Sequence, residues 1–180
     1  RALAMKDLEA SQEMAQRANR LVVMSELAIT LLQEVYAVPA DKIRMLYHGT
    51  PDFTSLDNSH YKKRFQVEGN QTLLTFGLLS PNKGIETVIN ALPKLVEDFP
   101  KLIYIVLGKT HPNVLKEYGE KYRAGLVALV DKLGLQEHVI FDDRFVSLEE
   151  LYAWLMAADI YITPYLSEAQ IVSGTLSYAV

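Results

Sequence analysis

Leu73-Leu74-Thr75-Phe76-Gly77-Leu78-Leu79-Ser80-Pro81-Asn82-Lys83-Gly84-Ile85-Glu86 is the stretch on which the fold turns. Thr72 to Phe76 is a short apolar run, rich enough in strand-forming types for a buried strand. Gly77 closes it, and residues 77–83 form a loop. From Gly84 to residue 98 the spacing changes to that of a helix, with Ile85, Val88, Ile89, Leu92 and Leu95 on one side. Pro93 falls inside this helix and is expected to kink or split it. Strand, glycine-containing loop and helix together make the repeating step of a parallel α/β sheet.

The same step recurs in both directions. Downstream, strands are expected at 102–107, 139–141 and 159–163. A long helix at 115–132 has Gly134 suited to its C-terminal cap. Another follows Ser147, which with Glu150 forms a capping box. A last helix is expected to open at Ser173-Gly174-Thr175. Upstream, residues 1–19 have helical spacing, and Leu21-Val22-Val23-Met24 is a short strand. Ser25 is placed to N-cap a helix carrying Leu27, Leu31, Leu32 and Val35 on one side, stopped by Pro39. Residues 43–47 form a further strand that ends at His48-Gly49. The polar stretch 51–70, with a short helix near 61–65, reads as a linker. A chain of this order builds an α/β fold with a parallel sheet and helices on both faces. Ligands then bind beyond the carboxyl ends of the strands. Function is therefore expected in the loops at 77–83, 108–114, 142–146 and 164–175.

Composition removes several alternatives. The chain has no cysteine, which excludes disulfides, thiolate metal sites and cysteine nucleophiles. A net charge of −4 gives no basic surplus for nucleic acid. No apolar run reaches the roughly 18 residues of a membrane span, which leaves peripheral membrane contact open and makes the cytoplasm the default compartment. The first residue is Arg1, inside a helical pattern, and the last residues are apolar without a stop signal. The chain is read as truncated at both ends.

Two loops could carry chemistry. In the first, Gly77 allows close approach to the backbone, and Lys83 precedes a helix start where an anion is favoured. A lysine there offers a compact charge for phosphate. A surface turn is an equal reading of the same residues. The second loop is Pro164-Tyr165-Leu166-Ser167-Glu168-Ala169-Gln170-Ile171-Val172-Ser173-Gly174-Thr175, long for its kind. Ser173, Gly174 and Thr175 suit a phosphate, and Glu168 could accept from sugar hydroxyls. On residue type alone, Ser173 is equally an N-cap and Glu168 a solvated charge. His111 follows a strand end and could reach a phosphate, or be polar surface. Arg144 could lie along a nucleotide or form a surface ion pair. Asp142 and Asp143 lack partner ligands, so no metal site is assigned. Glu120 and Arg123 read as an i,i+3 pair. Tyr61-Lys62-Lys63-Arg64 reads as a solvated basic cluster.

The quoted stretch 73–86 resembles the "G-R-L-x-x-x-K-G" segment of glycosyltransferase family 4, also called group 1. Three further segments resemble that family in order. They are Leu21 to Ser25 ("V-V-V-x-S"), Tyr36 to Gly49 ("Y-G-V-P-x-x-K-I-x-V-I-x-N-G") and Ala158 to Pro164 ("A-D-V-x-V-x-P-S"). The resemblance implies a retaining enzyme with two facing Rossmann-like domains, the GT-B type. Residues 1–50 would then be the end of the acceptor-side domain, with His48-Gly49 at the hinge. Residues 71–180 would be most of the donor-side domain.

The resemblance further implies that Lys83 meets the donor diphosphate and that Glu168 approaches the donor sugar. The Ser173-Gly174-Thr175 segment would meet the diphosphate through backbone N–H groups. Two positions depart from the family pattern: Leu78 stands for its usual arginine and Leu176 for its second glutamate. Gln170 and Ser173-Gly174-Thr175 could serve instead. The implied reaction moves a hexose from a nucleoside-diphosphate sugar to a sugar, lipid or other hydroxyl acceptor, with no bound metal or cofactor and no protein nucleophile. A nucleotide-sugar epimerase of the same architecture and a non-catalytic nucleotide-sugar-binding paralogue are the alternatives. A dinucleotide oxidoreductase is disfavoured, because no G-x-G-x-x-G follows an expected strand.

Overall fold

The computed structural model describes residues 2–50, 58–167 and 173–179. They fall into two compact units, one built from 2–50 with 173–178 and the other from 58–167 with residue 179.

In the first unit, α1 (Ala2–Arg17) leads to β1 (Leu21–Val23), α2 (Glu26–Glu34), a 3-10 turn (Ala40–Lys42) and β2 (Ile43–Met45). The two strands pair in parallel, Leu21 opposite Ile43. Ser25 caps α2 as expected, accepting from the Ala28 N–H at 3.2 Å. A small core forms around Ala15, Val38 and Ile43, joined by Ile29, Leu32 and Tyr36. The helical side carrying Leu27, Leu31 and Val35 is exposed instead. The helix expected at Ser173 is a single 3-10 turn, Leu176–Tyr178, with Ser173 Oγ accepting from the Leu176 N–H.

The second unit begins with α3 (Ser59–Arg64). Then come β3 (Gln71–Phe76), α4 (Ile85–Asp98), β4 (Leu102–Leu107), α5 (Pro112–Tyr118), α6 (Lys121–Lys132), β5 (Val139–Asp142), α7 (Leu148–Ala157) and β6 (Ile160–Tyr161). The four strands form a parallel sheet in the order β5-β4-β3-β6. Side chains alternate across it. Leu73, Tyr104 and Val106 join Ile85, Val88, Ile89 and Leu92 of α4 and Leu126 and Val130 of α6 on one face. The buried Leu74, Phe76, Ile105 and Leu107 take the opposite face, where α7 brings Ala153, Trp154 and Ala157. The expected α/β parallel sheet is present.

Three local expectations are corrected. Helix α4 runs unbroken through Pro93. Only one intrahelical N–H is lost there, and the buried face at Ile85, Val88, Ile89 and Leu92 holds the helix in place. The single helix expected at 115–132 is two, because Gly119 adopts φ 62°, ψ −144°, outside the helical region. Residues 58–70 are not a free linker. Phe65 stacks on Trp154 with centroids 3.6 Å apart, and Val67 is buried.

Lys62, read as part of a solvated cluster, is instead only 12 % exposed and pairs with Asp159 at 2.6 Å. Asp159 also accepts from the Thr72 N–H at 2.7 Å, the Thr72 hydroxyl at 3.1 Å and Asn58 Nδ2 at 3.2 Å. Burial alone would raise this carboxyl. The bonds from Lys62 and Thr72 outweigh it and hold the group below the usual carboxylate range. The clamp ties α3, the start of β3 and the entry to β6 together.

Candidate functional site

The strand order reverses beside β3. The chain proceeds from β3 to β4 to β5 on one side, then crosses back through α7 to place β6 on the other. A parallel sheet opens a crevice at such a switch point, beyond the carboxyl ends of the two diverging strands. Here those strands are β3 and β6, and the loops leaving them are 77–84 and 162–167.

Glycine backbones let these loops approach closely. Gly84, at φ 62°, packs so near the next loop that a Cβ would lie 2.1 Å from the Pro164 carbonyl oxygen. The Leu166 N–H donates to the Asn82 carbonyl at 3.0 Å. On the other side, loop 77–84 runs beside the loop leaving β4. The Leu79 N–H donates to Lys109 O, the His111 N–H donates to Leu79 O, and Leu79 bridges Thr110 in parallel. Gly108, at φ 131°, would put a Cβ 2.2 Å from Gly77 O. Gly77 is thus part of a laced backbone floor.

A hydroxyl chain supports the crevice from below. Buried Tyr104 donates to Thr75 Oγ1 at 2.9 Å, and the Thr75 hydroxyl donates to the Ile162 carbonyl at 2.8 Å. This links β4 through β3 to the exit of β6. Burial pushes the Tyr104 phenol well above its ordinary range. Tyr122 is also raised, first by burial and then by its bond to Glu86 Oε2 at 2.7 Å.

Lys83 ends the 3-10 turn Pro81–Lys83 before α4. Its ammonium donates to the Tyr165 hydroxyl at 2.6 Å and lies 3.8 Å from that ring's centroid. The structure thus brings the lysine of the first loop against the start of the second. Tyr165 was not singled out from sequence, because nothing in its spacing marks a lysine partner.

The remaining candidates separate. His111 caps α5, its Nδ1 accepting from the Asn113 N–H at 3.2 Å. Arg144 takes the ion-pair alternative. Its guanidinium bonds both oxygens of Asp142 (2.9 and 2.6 Å) and Glu150 Oε1 (2.7 Å). Burial would raise Asp142, but the bonds from Arg144 keep it low. Only half of the capping box forms in this arrangement: Ser147 Oγ accepts from the Glu150 N–H, while the Glu150 carboxylate turns to Arg144. Glu120 and Arg123 form the expected pair at 3.5 Å, with Glu120 also accepting from the buried Thr110 hydroxyl. Arg123 reaches the Gly108 carbonyl. Ser173, Gly174 and Thr175 belong to the first unit, where Gly174 lies 3.8 Å from His48 Nε2 (measured from an added Cβ) and Ser173 Oγ is 3.1 Å from Thr175 Oγ1. Glu168 and Gln170 lie outside the described residues. Among the described residues no group of three acidic or histidine side chains is placed to hold a metal ion, and no helix is long and apolar enough to cross a membrane.

The fold and crevice define an α/β domain with a lysine-bearing ligand loop at its switch point. The chain belongs to the group 1 glycosyl transferases, whose family profile matches residues 57–170. It is 27 % identical over 161 residues to D-inositol 3-phosphate glycosyltransferase of Mycobacterium sp. (strain KMS), covering 88 % of this chain and 34 % of that protein. It is 20 % identical over 162 residues to the putative glycosyltransferase YtcC of Bacillus subtilis (strain 168), covering 84 % and 38 %. The chain thus spans little more than a third of the curated relatives it matches. Among solved structures it resembles Anabaena HepE in complex with UDP and glucose (TM-score 0.65, 21 % identity, 87 % of this chain and 41 % of that one). It also resembles sucrose-phosphate synthase from Thermosynechococcus elongatus (TM-score 0.68, 20 % identity, 92 % and 40 %). These likenesses establish the GT-B type of fold.

Proposed function

We propose that the protein containing this chain transfers a hexose from a nucleoside-diphosphate sugar to an acceptor hydroxyl with retention of configuration. Residues 71–167 would supply much of its donor side. The observation that carries this reading is the position of Lys83, at the switch-point crevice of a group 1 chain and on the loop that precedes α4. The solved HepE structure holds UDP and glucose, which supports a nucleotide-sugar donor for a relative of the same fold.

The chemistry follows from charge. When the sugar–phosphate bond breaks, negative charge collects on the leaving diphosphate. A fixed ammonium gains more from that state than from the intact donor, and so lowers the barrier. In this reading Glu168 approaches the donor sugar, an assignment that rests on the family resemblance alone.

Replacing Lys83 tests the proposal. A charge-assisted hydrogen bond contributes roughly 1.5–3 kcal/mol. Lys83→Ala in the full-length protein is therefore expected to lower kcat/KM by roughly ten- to a hundred-fold, at about 1.4 kcal/mol per decade. The kcat should fall along with affinity. Lys83→Arg should recover part, since a planar fork does not replace a compact ammonium. Near-normal kinetics of Lys83→Ala, with an unchanged circular dichroism spectrum, would reduce the loop to an ordinary turn.

A further inference from the structure

We propose that Tyr165 competes with the donor's diphosphate for the Lys83 ammonium and so sets donor affinity, a positioning role that rests on the donor-site reading above. One side chain makes two contacts with Lys83: the hydroxyl oxygen accepts at 2.6 Å, and the ring centroid lies 3.8 Å from Nζ. The hydroxyl oxygen takes a position on the ammonium that a phosphate oxygen would need. The ring face carries the negative side of the aromatic quadrupole, which attracts the ammonium and repels an anion beside it. A diphosphate and the phenol therefore make opposed demands on the same charge.

The backbone around this contact is held on both sides. Pro164 is packed against Gly84, and the Leu166 N–H is bonded to Asn82 O. Before them, the Ile162 carbonyl accepts from Thr75. On the lysine side, the Lys83 N–H donates to Ser80 O at 2.9 Å. With both backbones tied, release of the ammonium falls to side-chain rotation of Tyr165 and Lys83 and needs no loop opening. The fraction of molecules with Lys83 released scales the apparent affinity for any anion that needs it.

The test is titration calorimetry of the full-length protein with inorganic pyrophosphate, which carries the diphosphate and no base. Tyr165→Ala is expected to bind roughly tenfold more tightly than the unaltered protein, and Tyr165→Phe, which keeps the ring, roughly two- to fourfold. In a Lys83→Ala background, Tyr165→Ala should change nothing, because the competition has lost its object. A purely structural role would shift melting temperature and would act equally in both backgrounds. Unchanged or weaker binding in both Tyr165 variants overturns the proposal, as does an equal effect with and without Lys83. Failure of the donor-site reading looks different: Lys83→Ala itself would leave pyrophosphate binding intact, or the unaltered protein would not bind it.

Discussion

Gly84→Ala places a methyl group where two backbones nearly touch. Gly84 adopts φ 62°, ψ 26°, and the added Cβ would stand 2.1 Å from the Pro164 carbonyl oxygen and 3.1 Å from Leu166 Cδ2. The carbonyl belongs to backbone, so no side-chain rotation relieves the contact. The loops must part by roughly 1 Å in a close-packed region. An alanine held in the left-handed region costs about 1–2 kcal/mol. Parting the loops also loses the Leu166-to-Asn82 hydrogen bond, worth about 0.5–1.5 kcal/mol. The total is about 2–3 kcal/mol, or a fall in Tm of about 4–12 °C at roughly 2–4 °C per kcal/mol. Scanning calorimetry reads this, with Gly69→Ala as the reference. Gly69 has φ 74° but nothing within 4 Å of an added Cβ, so it reports the backbone cost alone. Gly84→Ala should melt clearly below Gly69→Ala. Equal melting would show that the two loops are not packed as described, and the crevice geometry would fall with it.

Asp159→Asn should destabilise the protein by about 1–3 kcal/mol at neutral pH by removing the charge shared with Lys62 and Thr72. Because the folded carboxyl is held below its ordinary 3.8, that stabilisation is complete above pH 3.8 and is lost as pH falls through the depressed value. Urea melts of the two proteins should therefore converge only in strong acid; convergence already at pH 6 would show that the clamp is not ionic. Tyr104→Phe should cost about 0.5–1.5 kcal/mol in the same melts, since it removes one buried hydrogen bond but leaves Thr75 bonded to Ile162. Transferase activity of the full-length protein is expected to survive EDTA. The carboxylates at this edge of the sheet are already engaged, Asp142 by Arg144, Glu120 by Thr110 and Arg123, and Glu86 by Tyr122. Loss on chelation with recovery on Mg²⁺ or Mn²⁺ would contradict this.

The alternation of strand and helix was legible because it rests on side-chain period, and a run such as 72–76 can be buried on both sides only within a sheet. Lys83 was legible because its place before a helix is local. The partners of these residues were not. Tyr165 lies 82 positions from Lys83 and Asp159 lies 97 from Lys62, and only the strand order brings either pair together. Lys62 looked solvated since its neighbours Lys63 and Arg64 are charged, yet α3 turns it inward to Asp159 and the Asn70 carbonyl. The break at Gly119 was hidden by good helix formers on both sides. Pro93 was misread for the opposite reason: local propensity forecast a defect that an apolar helix face overrides.

The strand order also has a kinetic side. Strands β3, β4 and β5 are joined in sequence by single crossovers and can pair as each appears. Strand β6 offers only Ile160 and Tyr161, and its anchoring bonds to β3 close a separation of 87 residues. Loop-closure entropy rises slowly with such a separation, but it must be met before the contacts it permits can form. The two loops that flank the crevice therefore meet last, when β6 docks. An anion binding at Lys83 would act on that final step, drawing the assembly to completion by mass action. A slow refolding phase that pyrophosphate shortens or suppresses would be its signature.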